Sequence, residues 1–260
     1  MTMMVGRTLS FLELFAAQKR PLSSAEIARM LNISASSCHD VVHVLEARGY
    51  LLKSPRAGWY PTLRLLQVAE TIAVNDPVMR RMRDPLRQLR DAIDESVLLS
   101  KIDGLQAMYL LALEPSHPLR FLATVGERVR SLHAASAGKA LLGTLSDAAL
   151  NGFLTSAELT RYTPMTIVSA AALRKDISAS NERGWFLNAE ESAPGLTTLS
   201  CTFRLRLATY IVTVAGATPR LQPNLSEACR LLTRLCRQIG DLGQAPGSGR
   251  RFAPGTPRQG

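Results

Sequence analysis

Residues Ser23 to Thr62 read S-S-A-E-I-A-R-M-L-N-I-S-A-S-S-C-H-D-V-V-H-V-L-E-A-R-G-Y-L-L-K-S-P-R-A-G-W-Y-P-T, and this stretch decides the fold of the first part of the chain. Ser23 and Glu26 form the S-x-x-E signature of a helix start, in which each side chain satisfies a backbone amide near the other. Ile27, Met30 and Leu31 supply the inner face of that short helix. Asn32-Ile33-Ser34 makes a tight polar turn. Ser34 is placed to cap a following helix that runs to about Arg48, and Gly49 is placed to end it. In that helix Cys38, Val41, Val42 and Leu45 share an inner face, while Ser36, His39, Asp40 and His43 share the opposite one. Tyr50–Ser54 and Trp59–Thr62 read as two short strands around Pro55-Arg56-Ala57-Gly58. Two short helices at a tight turn, followed by a hairpin, lay one helix in the DNA major groove and a wing along the adjacent backbone.

On that reading Ser36, His39, Asp40 and His43 meet base edges, and Ser37 at the helix start contacts a phosphate or a base. Lys53 and Arg56 on the wing, with Arg29, contact phosphates. The outward face has no Lys or Arg in its first two turns. Asp40 is repelled by phosphate but can accept a hydrogen bond from cytosine N4. The chain as a whole carries 31 Lys and Arg against 21 Asp and Glu, a net charge of +10, which points to an anionic partner. The excess is spread out: residues 1–75 carry 8 basic and 5 acidic groups, so charge alone adds little to the DNA reading.

Working outward, Leu9, Leu12, Phe15 and Ala16 recur at helical spacing, giving a first helix that ends near Gln18 before Lys19-Arg20-Pro21. After the hairpin, Leu63, Leu66, Ala69 and Ile72 share one face of a linking helix that Asp76-Pro77 interrupts. Asp84-Pro85 then reads as the start of a helix burying Leu86, Leu89 and Ile93. From Val97 the pattern turns to strands: Val97–Ile102, Ala107–Leu113 and Arg120–Thr124, with Asp103-Gly104 as the first turn. A helix follows from Ser136 to about Leu145, another from Ser169 to Arg183 stopped by Gly184. Trp185–Asn188, Thr198–Leu205 and Tyr210–Ala215 read as further strands. Asn224 and Glu227 start a last helix with Leu225, Ala228, Leu232, Leu235 and Ile239 along its seam. The Pro- and Gly-rich end is expected to be disordered. No internal repeat is visible.

The expected organisation is α+β: a winged helix-turn-helix over 1–62, linker helices over 63–83, a helix-flanked, mainly antiparallel sheet over 84–243, and a tail over 244–260. The four cysteines, Cys38, Cys201, Cys229 and Cys236, form no C-x-x-C pair and do not cluster with the four His, so they read as reduced core residues of a cytoplasmic protein. No secretory leader is apparent, and no apolar run approaches the roughly 20 residues of a membrane span. No metal, cofactor or membrane partner is expected.

Three segments invite a catalytic reading and fail it. S-A-G-K-A at 136–140 lacks the first glycine of a phosphate loop and has Ala140 where a hydroxyl residue is needed. His133 and Ser136 have neither a G-x-S-x-G elbow nor an orienting carboxylate. Glu190-Glu191 reads as a solvated pair on a loop. No catalytic residue is assigned.

Taken together, V-G-R-T-L-S-F-L-E-L-F near the start, S-A-E-I-A-R-M-L-N-I-S, L-E-A-R-G-Y-L, G-E-R-V-R-S-L-H-A-A-S-A-G-K-A-L-L, R-G-W-F-L-N-A-E-E-S-A-P-G-L and I-V-T-V-A-G occur in an order and spacing that resembles the IclR family of bacterial transcriptional regulators. The resemblance spans about Val5 to Leu242. It implies a winged helix-turn-helix, a linking helix and a GAF-like effector domain. It implies a homodimer or homotetramer on palindromic double-stranded operator DNA, released or recruited by a small organic effector, often a carboxylic acid or aromatic catabolite. The family's pocket positions fall on Ala137, Gly138, Asn188, Thr198, Cys201, Thr213 and Ala215. An acidic residue is common in the family at Asn188, and a basic one is frequent at Asp40. Ser136 is expected to cap the helix from Ala137, leaving amides for an anion and Gly138 for close approach to a ligand. The alternative is that Ala137 and Gly138 only permit tight packing, and that the second domain serves oligomerisation without a ligand.

Overall fold

Among the described residues one hydrophobic cluster gathers around Phe11, Phe15, Ile27, Val42 and Trp59 and another around Ala140, Leu141, Leu173, Phe186 and Ile211. They belong to two units that divide between Arg80 and Arg81. The computed structural model describes residues 2–54, 58–118 and 120–243.

In the first unit α1 (Thr2–Gln18) precedes α2 (Ser24–Met30) and α3 (Ala35–Ala47). The predicted capping box is present: Ser23 Oγ accepts from the Glu26 amide and the Glu26 carboxylate accepts from the Ser23 amide. Ser34 caps α3 through the Ser37 amide. Cys38, Val42 and Leu45 are buried and Val41 is half-buried, as their spacing requires. Met30 departs from its expected place. It is 39% exposed, and Ala28 fills the inner position beside Ile27. Strands β1 (Leu51–Ser54) and β2 (Gly58–Pro61) pair antiparallel. Trp59 also exchanges backbone hydrogen bonds with Leu22, 2.8 and 3.0 Å, tying the hairpin to the chain entering α2. Gly58 permits this: its φ is +95°, and a Cβ there would sit 2.5 Å from the Leu22 carbonyl oxygen. Helix α4 (Arg64–Asn75) follows. Its shared face is exposed, with Leu63 at 76% and Ile72 at 67%.

Helix α5 (Pro77–Ile93) is longer than expected. It starts on Asp76, whose carboxylate accepts from the Val78 and Met79 amides, and continues through Pro85. Pro85 removes one helical hydrogen bond. The row Met79, Met82, Leu86 and Leu89, buried along its length, holds the helix together across that gap.

The second unit is built on a five-stranded antiparallel sheet in the order β4-β3-β7-β6-β5. Its strands are β3 (Ser96–Asp103), β4 (Gln106–Leu113), β5 (Phe186–Ala189), β6 (Leu196–Leu205) and β7 (Ala208–Ala217). Helices α6 (Ser136–Leu142), α7 (Asp147–Ser156) and α8 (Ala170–Arg183) precede β5. Helix α7 was not foreseen: Ser146 caps it, but only Leu150 is buried, too short a stripe for periodicity to show. After β7 come the short α9 (Thr218–Leu221) and α10 (Leu225–Gly243). Arg120–Thr124 is not a strand. That segment instead leads into Glu127 and Val129, whose backbones bond to Tyr109 and Ala107 on β4. Asn224 does not cap α10; its amide donates back to the Arg220 carbonyl.

Strand alternation sorts the sheet into two faces. Phe186, Ser200, Thr213 and Leu98 are register partners or neighbours across successive strands, and with Asn188, Thr198, Ile211 and Ala215 they face α6. Leu199, Cys201, Phe203, Val212 and Val214 face the other way, where α10 packs on β6 and β7.

Candidate nucleic-acid interface and ligand pocket

On α3 the outward residues Ser36, His39, Asp40 and His43 are all exposed, and Ser37 is half-buried. Around the helix start, Ser34 Oγ lies 2.9 Å from Ser37 Oγ and 3.1 Å from Ser36 Oγ. The three hydroxyls therefore order one another at the end where amides and the helix dipole favour a phosphate. The His39 and His43 rings lie 4.1 Å apart between centroids. His43 also meets the edge of Trp59 at 5.9 Å and Glu46 at 3.2 Å. His43 is thus held against the hairpin, while His39 and Asp40 stand furthest out.

Lys53 Nζ sits 5.4 Å from the Trp59 ring centroid, and the Trp59 indole N–H donates to Ser24 Oγ at 3.0 Å. One indole therefore links the wing lysine, the start of α2 and His43 of α3. Arg29 is exposed in the last turn of α2. Arg56 lies outside the described residues. The Glu26 carboxyl is held down to about 2, first by the Ser23 amide, then by the Ser23 hydroxyl and Arg20.

In the second unit the expected pocket residues form a closed floor. Asn188, Thr198, Thr213 and Ala215 lie on the α6 side of the sheet and are buried. Ser136 does not cap its helix: the N-cap position falls on Ala135, without a side-chain cap. Its hydroxyl instead bonds Thr198 Oγ1 at 2.6 Å and Ser200 Oγ at 2.8 Å, and Ser200 bonds Thr213 Oγ1 at 2.8 Å. The Asn188 amide donates to Ser192 and Thr198, and its carbonyl accepts from the Glu191 and Ser192 amides. Asn188 therefore pins the loop after β5, a task that needs donors a carboxylate lacks.

Ala137 is buried at the start of α6. The space above Gly138 is filled by the chain itself: a Cβ there would lie 2.2 Å from the Ser131 carbonyl oxygen. Gly138 therefore lets the 131–132 turn approach, and no ligand fits against it. Cys201 is not brought together with the others. It points to the opposite face, where its thiol lies 3.3 Å from the Gly184 carbonyl oxygen.

Beside this floor a cleft of about 380 Å³ opens, lined among others by Tyr109, Arg128, Arg130, Ser131, Tyr162 and Ser192. That volume lies within the range of small-ligand sites, roughly 300–1,000 Å³. Burial raises the Tyr109 hydroxyl pKa, with Glu127 adding to the rise and Arg130 opposing it. The arginines sit in the G-E-R-V-R-S-L-H motif. Their alternation along an extended segment is the signal that the sequence carries for this cleft.

Two further expectations change. Glu191 is buried, not solvated: it joins Lys139 at 2.6 Å, and Lys139 also bonds Asp176 at 2.9 Å and the Leu187 carbonyl at 2.8 Å. Burial pushes the Glu191 carboxyl up, against the pull of Lys139. His133 bonds Ser131 at 3.3 Å and the Thr160 carbonyl at 2.9 Å, and stacks on Tyr162. With Ser136 committed to Thr198 and Ser200, the two do not form a nucleophile–base pair.

Residues 71–240 match the family described as bacterial transcriptional regulator IclR C-terminal, and residues 4–55 match the IclR helix-turn-helix domain. The HTH-type transcriptional regulator BhcR of Paracoccus denitrificans is 29% identical over 246 residues, covering 93% of this chain and 87% of the relative. The crystal structure of the Thermotoga maritima IclR superposes with a TM-score of 0.68 at 21% identity, covering 93% of this chain and 99% of that one. An IclR homolog from Microbacterium hydrocarbonoxydans, complexed with 4-hydroxybenzoate, superposes with a TM-score of 0.70 at 19% identity, covering 92% and 98%. These two structures share the fold.

Proposed function

Because this chain belongs to the IclR family of bacterial transcriptional regulators, we propose that it binds operator DNA through α3 and the wing, and that a small organic acid in the 380 Å³ cleft changes that binding. The observation that carries the reading is a cleft lined by two exposed arginines, Arg128 and Arg130, together with the tyrosines Tyr109 and Tyr162. Guanidinium groups hold carboxylates through paired, charge-assisted hydrogen bonds. The tyrosine rings supply flat walls for an aromatic or short aliphatic body. Bound 4-hydroxybenzoate in the Microbacterium homolog agrees with that chemistry.

On the DNA side, His39 and Asp40 reach base edges, Ser36 and Ser37 approach at the helix start, and Lys53, Arg29 and Arg56 hold phosphates. The exposed row Leu63, Leu66 and Ile72 on α4 is the surface a second copy covers, giving a homodimer or homotetramer on a two-fold operator in the cytoplasm. The linking residues 63–83 then carry the effect of the ligand to the spacing of the heads. The protein acts as a regulator and not as an enzyme.

Thermal-shift screening against small acids tests the ligand. An acid present at 100 times its Kd stabilises the folded state by about 2.7 kcal/mol, and Arg130→Ala removes that gain. Stabilisation only by neutral compounds sinks the reading.

A further inference from the structure

Cys201 on β6 and Cys236 on α10 meet on the face of the sheet away from α6. The Cys236 thiol donates to the Cys201 carbonyl oxygen, with Sγ 3.8 Å from it, while the Cys201 thiol donates to the Gly184 carbonyl at 3.3 Å. Both side chains line a cleft of about 300 Å³, together with Gly184, Thr202, Thr233 and Arg237. Cys201 is 6% and Cys236 3% exposed, so only small molecules reach them. Neither the DNA face nor the arginine cleft uses this pair.

We propose that Cys201 and Cys236 form a modification site for hydroperoxides, at which oxidation joins the two sulfurs. The Cys201 thiolate attacks one peroxide oxygen. The O–O bond breaks, Cys201 becomes a sulfenic acid, and the other oxygen leaves as hydroxide and takes up a proton. The Cys236 thiol then attacks the sulfenic sulfur. An S–S bond forms, the S–O bond breaks, and the hydroxyl leaves as water with the Cys236 proton. The two thiols lose two electrons in all, and with hydrogen peroxide the products are a disulfide and two waters.

The surroundings divide the roles. The neighbouring Cys236 side chain lowers the Cys201 pKa, and the Arg237 charge lowers it further against the cost of burial. Burial raises Cys236, which stays protonated as the donor. The other two cysteines are raised by burial, Cys229 to about 11. The thiolate is the reactive form, so Cys201 is favoured within the chain. Helix α10 packs directly on β6 and holds the Cys236 sulfur against the Cys201 backbone, so a bond of about 2.05 Å forms between neighbouring residues of two packed elements. The link fastens α10 to the strand whose opposite face carries Thr198 and Ser200.

The full chain is treated with hydrogen peroxide, its remaining thiols are alkylated, and the digest is mapped by mass. The site requires a peptide linking Cys201 to Cys236, with both thiols consumed about tenfold faster than Cys38 or Cys229. Cys229→Ser leaves the link intact, and Cys201→Ser abolishes it. Equal reaction of all four cysteines, a link to Cys38 or Cys229, or overoxidised Cys201 with no link each overturns the proposal.

Discussion

The outward face of α3 and the α6-facing side of the sheet carry similar side chains but do opposite things with them. On α3, Ser36, His39, Asp40 and His43 stand exposed, with His39 and Asp40 least engaged. On the sheet, Asn188, Thr198, Ser200 and Thr213 are buried and spend their hydrogen bonds on Ser136, on the loop after β5 and on one another. A polar residue type therefore does not mark a site by itself. What marks it is hydrogen-bonding capacity left over after folding. By that measure the outward face of α3 is open, the sheet floor is closed, and the open chemistry of the second unit lies beside the floor, at Arg128 and Arg130.

Substitutions can break this contrast. The largest effect is expected on the closed side. Lys139→Ala leaves Glu191 buried without its cation and should cost about 3–5 kcal/mol of stability, measured by denaturant unfolding. Gly138→Ala drives a methyl group into the 131–132 backbone and should cost about 1–3 kcal/mol. His39→Ala should leave the unfolding midpoint unchanged and shift sequence preference by about 1–3 kcal/mol at one base pair, measured by competition among operator variants. Ser136→Ala is the counterpart on the sheet: about 1 kcal/mol of stability lost, with operator preference untouched.

The smallest effect is at the α2 cap. The Glu26 carboxyl is held at about 2 against an ordinary 4.5, so the folded state binds its proton more weakly than the unfolded state. Its stabilisation is full above pH 4.5 and is lost as pH falls toward 2. Thermal unfolding of Glu26→Gln should therefore converge with the unaltered protein at the acid end of that window.

Local rules carried the first unit: the Ser23–Glu26 and Ser34 caps and the inner face of α3 follow from spacing within a few residues. They failed where a distant partner decides. Pro85 looked like a helix start because the buried row from Met79 to Leu89 that bridges it is a tertiary feature. Ser136 looked like a cap because Thr198 and Ser200, 62 and 64 residues away, were not in view. Lys139 and Glu191 pair across 52 residues, so neither could be read as buried. The family resemblance puts Cys201 in the pocket with Thr198, but a separation of three along a strand places the two on opposite faces.

The most direct test measures operator affinity with and without an acid identified by thermal shift, in the unaltered protein and in the Arg128→Ala/Arg130→Ala double variant. The account predicts that the acid changes operator affinity about 5- to 150-fold in the first and leaves the second unmoved at its basal affinity. An equal change in both, or none in either, contradicts it.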